Sequence, residues 1–280
     1  MRLAAIFRAV RALFLAIFGL ILVYILCRSK PIVTIYVITP TFYRLTQKPE
    51  LVRLCNTLSL VENIHWIVVE DSQNKTKLVA NFLSECKVPS THLNAASPKD
   101  KNYHIKGSNQ RNAGLQWLRE NIVKGKQRGV VYFADDDNTY DPRIFNEVSQ
   151  MRNLRQGATW PVGIVGGSSW EGCITAPEEP SRIVGFWTGY KPRRSFPIDM
   201  AAFAINVDLL FTYPNASFDY KHVEQQEGTI LSQVGFKSAL DLEPRANGCS
   251  KVQILVWHTK TSVPKIPKQR PHQPPIADFL

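Results

Sequence analysis

Short β-rich runs alternate with helical segments in the first half of the chain, and this alternation constrains the fold more than any other feature. Ile32–Ile38, His65–Val69 and Gly129–Phe133 are apolar, β-branched runs of the length of buried strands. Residues 50–60 and 109–121 carry apolar side chains at helical spacing. The series predicts an open, mostly parallel α/β sheet, whose ligands bind beyond the carboxyl ends of the strands.

The second half of the chain is less regular. Residues 162–167, 182–187, 200–206 and 252–257 are predicted to be strands separated by loops rich in Gly, Pro and aromatic residues. Residues 223–234 are predicted to be helical.

Polar groups end the strands of the first half. Three consecutive aspartates, Asp135, Asp136 and Asp137, follow the third strand, and Thr39–Thr41 and Glu70–Asp71 follow the other two. Adjacent like charges repel, and a divalent cation that bridges them to a phosphate offsets the repulsion. A solvated acidic turn is the alternative, because short acidic clusters are common. The convergence of these groups at one edge of the sheet favours a metal-assisted nucleotide site.

Two cations and one aromatic residue extend this prediction. Arg111 starts a predicted helix, where a guanidinium and a helix amino terminus together favour phosphate. Lys106 adds a second cation, and Tyr43 is placed to stack on a base. A surface ion pair for Arg111 and a packing role for Tyr43 are the open alternatives.

Sugar transfer from a nucleotide has few chemical requirements. A divalent cation neutralises the departing diphosphate, and carboxylate ligands suit Mn²⁺ or Mg²⁺. A carboxylate base takes the proton of the acceptor hydroxyl, which implies a single displacement with inversion. The candidates for that base, none preferred by position, are Glu171, Asp199, Glu224 and Glu227.

The formal net charge is +11, but no Lys/Arg-rich block stands out. The surplus fits an anionic small substrate, a glycan or a membrane face. A nucleic-acid binder needs a basic stripe or a recognised module, and the sequence has neither.

Residues 12–27 are continuously apolar, with an arginine-rich flank on their amino-terminal side. This pattern predicts an uncleaved transmembrane signal anchor, with residues 1–11 as a cytoplasmic tail and residues 28–31 as a minimal stem before a luminal domain. A cleaved signal peptide is the competing interpretation, but the segment lacks a small-x-small cleavage site.

A luminal location gives meaning to the cysteines and sequons. Four cysteines beyond the anchor allow up to two disulfides, whose pairing the sequence leaves open: Cys55, Cys86, Cys173 and Cys249. None lies in a CxxC pair, which argues against a structural zinc site. Asn74 and Asn215 begin sequons and are glycosylation candidates.

A series of longer motifs resembles one family. In chain order they are TIYVITPTFYRLTQKPELVRL, HWIVVEDS, QRNAGLQWLR, GVVYFADDDNTYD, WPVGIVGG, FPIDMAAFAIN, DLEPRANGC and ILVWHTKT. Together they are similar to the β-1,3-glucuronyltransferases of animal glycan synthesis, from about residue 32 to residue 262.

The resemblance implies a GT-A glycosyltransferase fold, with a Rossmann-like nucleotide-binding half at 32–140 and a mixed-sheet acceptor half at 141–262. It implies a single-pass type II Golgi membrane protein that uses Mn²⁺ and transfers glucuronate from UDP-glucuronate to the 3-hydroxyl of a terminal galactose. Members of the family act as homodimers whose tails reach toward the partner's acceptor site, which gives the Pro-rich residues 263–280 a role.

The resemblance also assigns roles to matched residues. Glu227 is implied as the general base and Asp137 as the metal ligand. The implied donor-binding residues are Pro40, Tyr43, Asp71, Lys106, Arg111, Asp135, Asp136, His258 and Lys260. The implied acceptor-binding residues are Glu171, Arg194 and Asp199.

Departures from the family pattern leave alternatives open. Lys106 and Lys260 stand where the family usually has Arg and lose its planar fork, so a transferase for another UDP-sugar is one alternative. Tyr190 replaces a Trp of the acceptor pocket, and the acceptor is either the Gal-Gal-Xyl linker of proteoglycans or terminal N-acetyllactosamine. An inactive relative is a further alternative, but both Asp137 and Glu227 are present.

Overall fold

The computed structural model describes residues 11, 13–15, 17–19, 33–98, 106–126, 128–151, 157–190, 193–220, 226–249 and 253–262. The chain divides into two compact units, residues 1–32 and 33–280. In the first unit the described residues are helical. No helix among the described residues is long and apolar enough to cross a membrane. Most of the predicted anchor, the stem and the tail after residue 262 lie outside the described residues.

The second unit contains strands and helices in the following order. The strands are β1 (Thr34–Thr41), β2 (Ile64–Glu70), β3 (Ser90–Asn94), β4 (Gly129–Phe133), β5 (Thr139–Tyr140), β6 (Gly157–Thr159), β7 (Val162–Val165), β8 (Ser168–Thr175), β9 (Ile183–Trp187), β10 (Phe203–Asn206), β11 (Glu243–Pro244) and β12 (Val256–Trp257). The helices are α1 (Gln47–Leu58), α2 (Lys77–Glu85), α3 (Ser108–Asn121), α4 (Arg143–Ser149), α5 (Leu209–Thr212), α6 (Gln226–Gln233) and the short α7 (Ala246–Cys249).

A seven-stranded sheet forms the centre of this unit, in the order β11-β6-β10-β4-β1-β2-β3. The β3, β2, β1 and β4 strands pair in parallel, whereas β10 is antiparallel to both β4 and β6. Residues 35–38 and 130–133 are almost completely buried, because helices cover both faces of a parallel sheet and its strands become continuous apolar runs. The predicted α/β sheet with parallel pairing in the first half is confirmed.

A second sheet of five strands has the order β5-β12-β7-β8-β9. The β7, β8 and β9 strands form an antiparallel meander, and β12 pairs in parallel with β7. The predicted last strand, residues 252–257, is confined to Val256–Trp257 within the described residues. The run 200–206 starts with a 3-10 turn, because the Asp199 carboxylate accepts a hydrogen bond from the Ala201 amide at 2.9 Å.

Two disulfides resolve the pairing that the sequence leaves open. Cys55 of α1 pairs with Cys86, just after α2, with a Cα–Cα distance of 6.3 Å. Cys173 of β8 pairs with Cys249 of α7, with a Cα–Cα distance of 5.5 Å. The bonds close segments of 31 and 76 residues, and a cross-link restricts the unfolded chain more when the closed segment is longer.

Removing either disulfide is therefore expected to destabilise the fold. Replacing both cysteines of a pair with serine should lower the free energy of unfolding by about 2–5 kcal/mol, with the larger loss for Cys173 and Cys249. Urea unfolding of both double variants and the parent measures this difference. An unchanged midpoint in either variant would show that the bond contributes no stability.

Candidate active site

A cavity of about 510 Å³ lies beyond the carboxyl ends of β1, β2 and β4. The three strands are parallel, so their carboxyl ends lie at one edge of the sheet. β1 and β2 end together, with Thr41 opposite Glu70, and β4 ends opposite Ile38, three residues before the end of β1. The structure brings to this cavity the sequence-predicted residues Pro40, Asp71, Lys106, Arg111, Asp135, Asp136 and Asp137.

Arg111 enters the cavity wall from the first turn of α3. Its side chain is 8% exposed and donates a hydrogen bond to the Asp135 carboxylate at 2.5 Å. Gly107 precedes the helix with a φ of +85°, and a Cβ there would lie 2.6 Å from Arg111 Nη1. The alternative of an exposed surface ion pair is wrong, since the guanidinium is buried at the cavity.

Asp136 points away from solvent into a buried ion cluster. Arg44 Nη2 donates to its Oδ1 at 2.7 Å and also pairs with the Glu50 carboxylate. Burial raises the pKa of Asp136 to about 6, and the hydrogen bond from Arg44 opposes that shift. Asp136 therefore holds the turn in place through Arg44, and it also lines the cavity.

Asp137 lines the cavity with a carboxylate that could hold a cation. No other described residue donates a hydrogen bond to that carboxylate, and burial followed by repulsion from Asp135 raises its pKa. No group of three His, Cys, Asp or Glu side chains that could hold a metal occurs among the described residues. This arrangement fits Mn²⁺ or Mg²⁺, which is often bound by one or two carboxylates together with the phosphates of a substrate.

Asp71 and Phe42 also line the cavity. Both oxygens of Asp71 are bound by Ser97, from the amide and from the hydroxyl, each at 2.6 Å. The Phe42 ring lies 4.4 Å from the Arg44 guanidinium and 5.5 Å from Lys106 Nζ, and these cations fix it at the cavity. Tyr43, the predicted stacking residue, is 65% exposed and does not line the cavity.

Glu227 lies in the first turn of α6 and is partly exposed. Desolvation raises the pKa of its carboxyl group to about 7, and repulsion from Asp199 adds to the shift. The positive charges of Arg194 and Arg111 oppose the shift. A carboxylate with this pKa is suited to general base catalysis near neutral pH.

His258 is paired with Asp199. Their Nδ1 and Oδ2 atoms are 3.3 Å apart, and this hydrogen bond raises the pKa of His258 to about 9. Asp135 and Asp137 raise it further, so His258 is cationic at neutral pH and close to the aspartate turn. Lys260, two residues later, is exposed.

Glu171 organises the loop that follows β9. Its buried Oε1 atom accepts hydrogen bonds from the Thr188 hydroxyl at 2.8 Å and from the amides of Gly189 and Tyr190 at 2.7 and 3.1 Å. The Arg194 guanidinium lies 5.0 Å from the Tyr190 ring and donates to the Tyr190 carbonyl at 3.2 Å. Glu224, an alternative base, lies outside the described residues.

Several residues of the site have no signal in the sequence. Phe42, Arg44, Arg53 and Ser97 are ordinary residues of loops or helix faces. Arg44 and Arg53 contact the aspartate turn from 92 and 84 residues away, and Ser97 contacts Asp71 from 26 residues away. Thr259 is the exception, because it stands between the predicted residues His258 and Lys260.

Comparisons with known proteins identify the family. Residues 54–262 match the model of glycosyltransferase family 43. The chain is 45% identical over 251 residues to the galactosylgalactosylxylosylprotein 3-β-glucuronosyltransferase sqv-8 of Caenorhabditis elegans, covering 86% of this chain and 67% of that protein. It is 44% identical over 255 residues to the human galactosylgalactosylxylosylprotein 3-β-glucuronosyltransferase 3, covering 84% of this chain and 73% of that protein.

Among solved structures, S. aureus TarS (1–349) superimposes with a TM-score of 0.50 at 14% identity, covering 81% of this chain and 60% of that one. This likeness shows the fold alone, a mixed α/β fold of the GT-A type. The family match covers β2 to β12, including Asp71, Arg111, the three aspartates and His258. The chain therefore belongs to glycosyltransferase family 43.

Proposed function

We propose that the chain transfers glucuronate from UDP-glucuronate to the 3-hydroxyl of a terminal galactose, with inversion and with Mn²⁺. The observation that carries this proposal is the cavity at the strand ends, where Arg111 and the three aspartates meet. The names of the curated relatives supply the donor sugar and the linkage.

The donor side of the site follows from its charges. Asp137 would hold Mn²⁺, which would neutralise the charge that develops on the departing diphosphate. Arg111 is fixed by Asp135 and presents its guanidinium to the same cavity, where it would bind donor phosphate. The cavity walls formed by Pro40, Phe42 and Asp71 would enclose the uridine.

The acceptor side supplies the base and a cation. Glu227 would take the proton of the galactose 3-hydroxyl as that oxygen attacks the anomeric carbon, and the carbon–oxygen bond to UDP would break in the same displacement. His258, kept cationic by Asp199, would bind the carboxylate of the transferred glucuronate. Arg194, Asp199 and Glu171 would border the acceptor.

The pKa values of Glu227 and His258 give an expected pH profile. Activity should rise with pH through about 7, as the raised pKa of Glu227 is passed and the base loses its proton. It should fall as pH passes about 9, where His258 loses its charge. Measuring kcat/KM from pH 5 to 10 tests both limbs, and a profile flat between pH 6 and 8 would contradict the assignment of the base.

A direct transfer assay tests the proposed function. The purified chain is incubated with UDP-glucuronate and Mn²⁺, and galactose-terminated acceptors of both the Gal-Gal-Xyl and the N-acetyllactosamine type are analysed by mass spectrometry. We expect one added glucuronate on at least one acceptor, lost with a metal chelator. No transfer to any acceptor would overturn the proposal.

A second candidate is a transferase for another UDP-sugar, and the exposed Lys260 and Lys106 favour testing it. A lysine binds a carboxylate as a point charge, without the bidentate fork of arginine. Competition of UDP-glucuronate against UDP-glucose and UDP-N-acetylhexosamines separates the two candidates. Protection of the fold by UDP and Mn²⁺ without transfer of any sugar would instead indicate an inactive relative.

We also propose that residues 12–27 anchor a luminal Golgi enzyme, and that the enzyme is a homodimer. The two disulfides and the exposed sequons at Asn74 and Asn215 support a luminal location. Expression of the full chain in animal cells, followed by enzymatic removal of N-glycans, tests this topology through the shift in mass. Sedimentation of the purified chain tests the dimer.

A further inference from the structure

The main-chain carbonyl of Asp137 is held from two distant parts of the chain. Arg53 Nη2, from α1, donates to this oxygen at 2.8 Å, and Thr259 Oγ1, just after β12, donates to it at 2.7 Å. The two donors are 84 and 122 residues away from Asp137 along the chain. Asp137, whose carboxylate accepts no hydrogen bond from any other described residue, therefore has its backbone held by donors from two distant segments.

Arg53 acts on the whole aspartate turn. The same Nη2 atom lies 3.4 Å from the carbonyl oxygens of both Asp136 and Asn138. One guanidinium group thus contacts three successive carbonyls and holds the turn together. Arg53 does not connect the turn to the acceptor side.

Thr259 provides that connection. Its hydroxyl has one proton, which it donates to Asp137, so it accepts the proton of the Thr139 hydroxyl in their 3.1 Å contact. The preceding residue, His258, donates its amide to the Gly163 carbonyl at 2.9 Å and pairs through its ring with Asp199. The segment that carries Thr259 is therefore held by β7 and by Asp199. Through its hydrogen bond to Asp137, Thr259 connects this segment to the aspartate turn.

We infer that Thr259 is a positioning residue that couples the metal-binding turn to the donor-binding segment around His258. Thr259 does not line the cavity, and it would orient the Asp137 carboxylate through the backbone of that residue. Residues that orient a metal ligand in this way commonly change metal affinity by about 10–100-fold when they are replaced. This role rests on the proposed function, because it requires that Asp137 binds the cation.

The test compares Thr259→Val, which keeps the shape and removes the hydroxyl, with Thr259→Ser, which keeps the hydroxyl. The matched control is Thr175→Val, since the Thr175 hydroxyl also donates to a main-chain carbonyl, that of Gly248 at 3.2 Å, away from the cavity. For each protein the melting temperature is measured at a fixed, saturating UDP concentration while Mn²⁺ is titrated, and the Mn²⁺ concentration at half-maximal stabilisation is compared.

We expect Thr259→Val to raise this Mn²⁺ concentration by about tenfold, and Thr259→Ser and Thr175→Val to leave it near the parent value. A merely structural role would lower the melting temperature without metal in both valine variants and leave the Mn²⁺ midpoint unchanged, and that result would overturn the inference. If the parent itself shows no Mn²⁺-dependent stabilisation by UDP, the metal role in the proposed function is wrong, and the coupling role is overturned with it.

Discussion

Replacing Asp137 with asparagine is expected to abolish metal-dependent transfer while the protein stays folded. The neutral amide is a poor ligand for Mn²⁺, and a catalytic cation supplies several kcal/mol of transition-state stabilisation, so turnover should fall by about three orders of magnitude. The fold should tolerate the change, because no other described residue donates a hydrogen bond to this carboxylate. Turnover with saturating UDP-glucuronate and increasing Mn²⁺ is the measurement.

Asp141→Asn is the matched control for this variant. Asp141 follows the same turn but forms an ion pair with the exposed Arg143 at 2.6 Å, and exposed ion pairs contribute little to stability. We expect this variant to keep the parent turnover and the parent Mn²⁺ dependence. Full activity of Asp137→Asn would show that the cation is held elsewhere or is not required.

Replacing Glu227 with glutamine is expected to have the second large effect. The amide keeps the shape of the side chain but cannot accept the proton of the acceptor hydroxyl, so kcat should fall by about 10²–10⁴-fold. Binding of UDP and Mn²⁺, measured by calorimetry, should be unchanged, because Glu227 is not among the residues that line the nucleotide cavity. Transfer kinetics with a galactose-terminated acceptor measure the loss.

The pH dependence distinguishes a base from a structural residue. In the folded parent the pKa of Glu227 is raised above its unfolded value, so the protonated form is favoured by folding and stability is lost as pH rises through about 7. The Glu227→Gln variant has no carboxyl group to titrate at this position. Its residual activity should therefore not rise with pH near 7, and its stability should not show this loss. Glu120→Gln, on the exposed face of α3, is the control. An unchanged limb near pH 7 in Glu227→Gln would assign that limb to another group.

The parallel core and its cavity could be predicted because their signals are local. The apolar runs that became β1, β2 and β4 are buried on both faces, and parallel strands end at one edge, so the polar residues after them had to meet. The helix after Gly107 shows apolar periodicity, which correctly placed Arg111 at its start.

The rest of the site depends on contacts that no local pattern encodes. Arg44 and Arg53 reach the aspartate turn across 92 and 84 residues, and nothing in the sequence around either of them indicates that contact. The β6 and β11 strands have three and two residues, too few to show an alternation. The disulfide partners were equally open, because four cysteines allow three pairings.

The seven-stranded sheet takes strands from both halves of the chain, and this limits how the enzyme can be recombined with its relatives. Three of its strands, β6, β10 and β11, come from residues after 140, and β10 pairs directly with β4, which leads into the aspartate turn. A chimaera that exchanges everything after residue 140 would replace three of the seven strands together with the loops that we propose bind the acceptor. Under the proposed function, an exchange confined to residues 188–194, with Glu171 retained as the hydrogen-bond acceptor of Thr188, Gly189 and Tyr190, leaves the seven-stranded sheet intact.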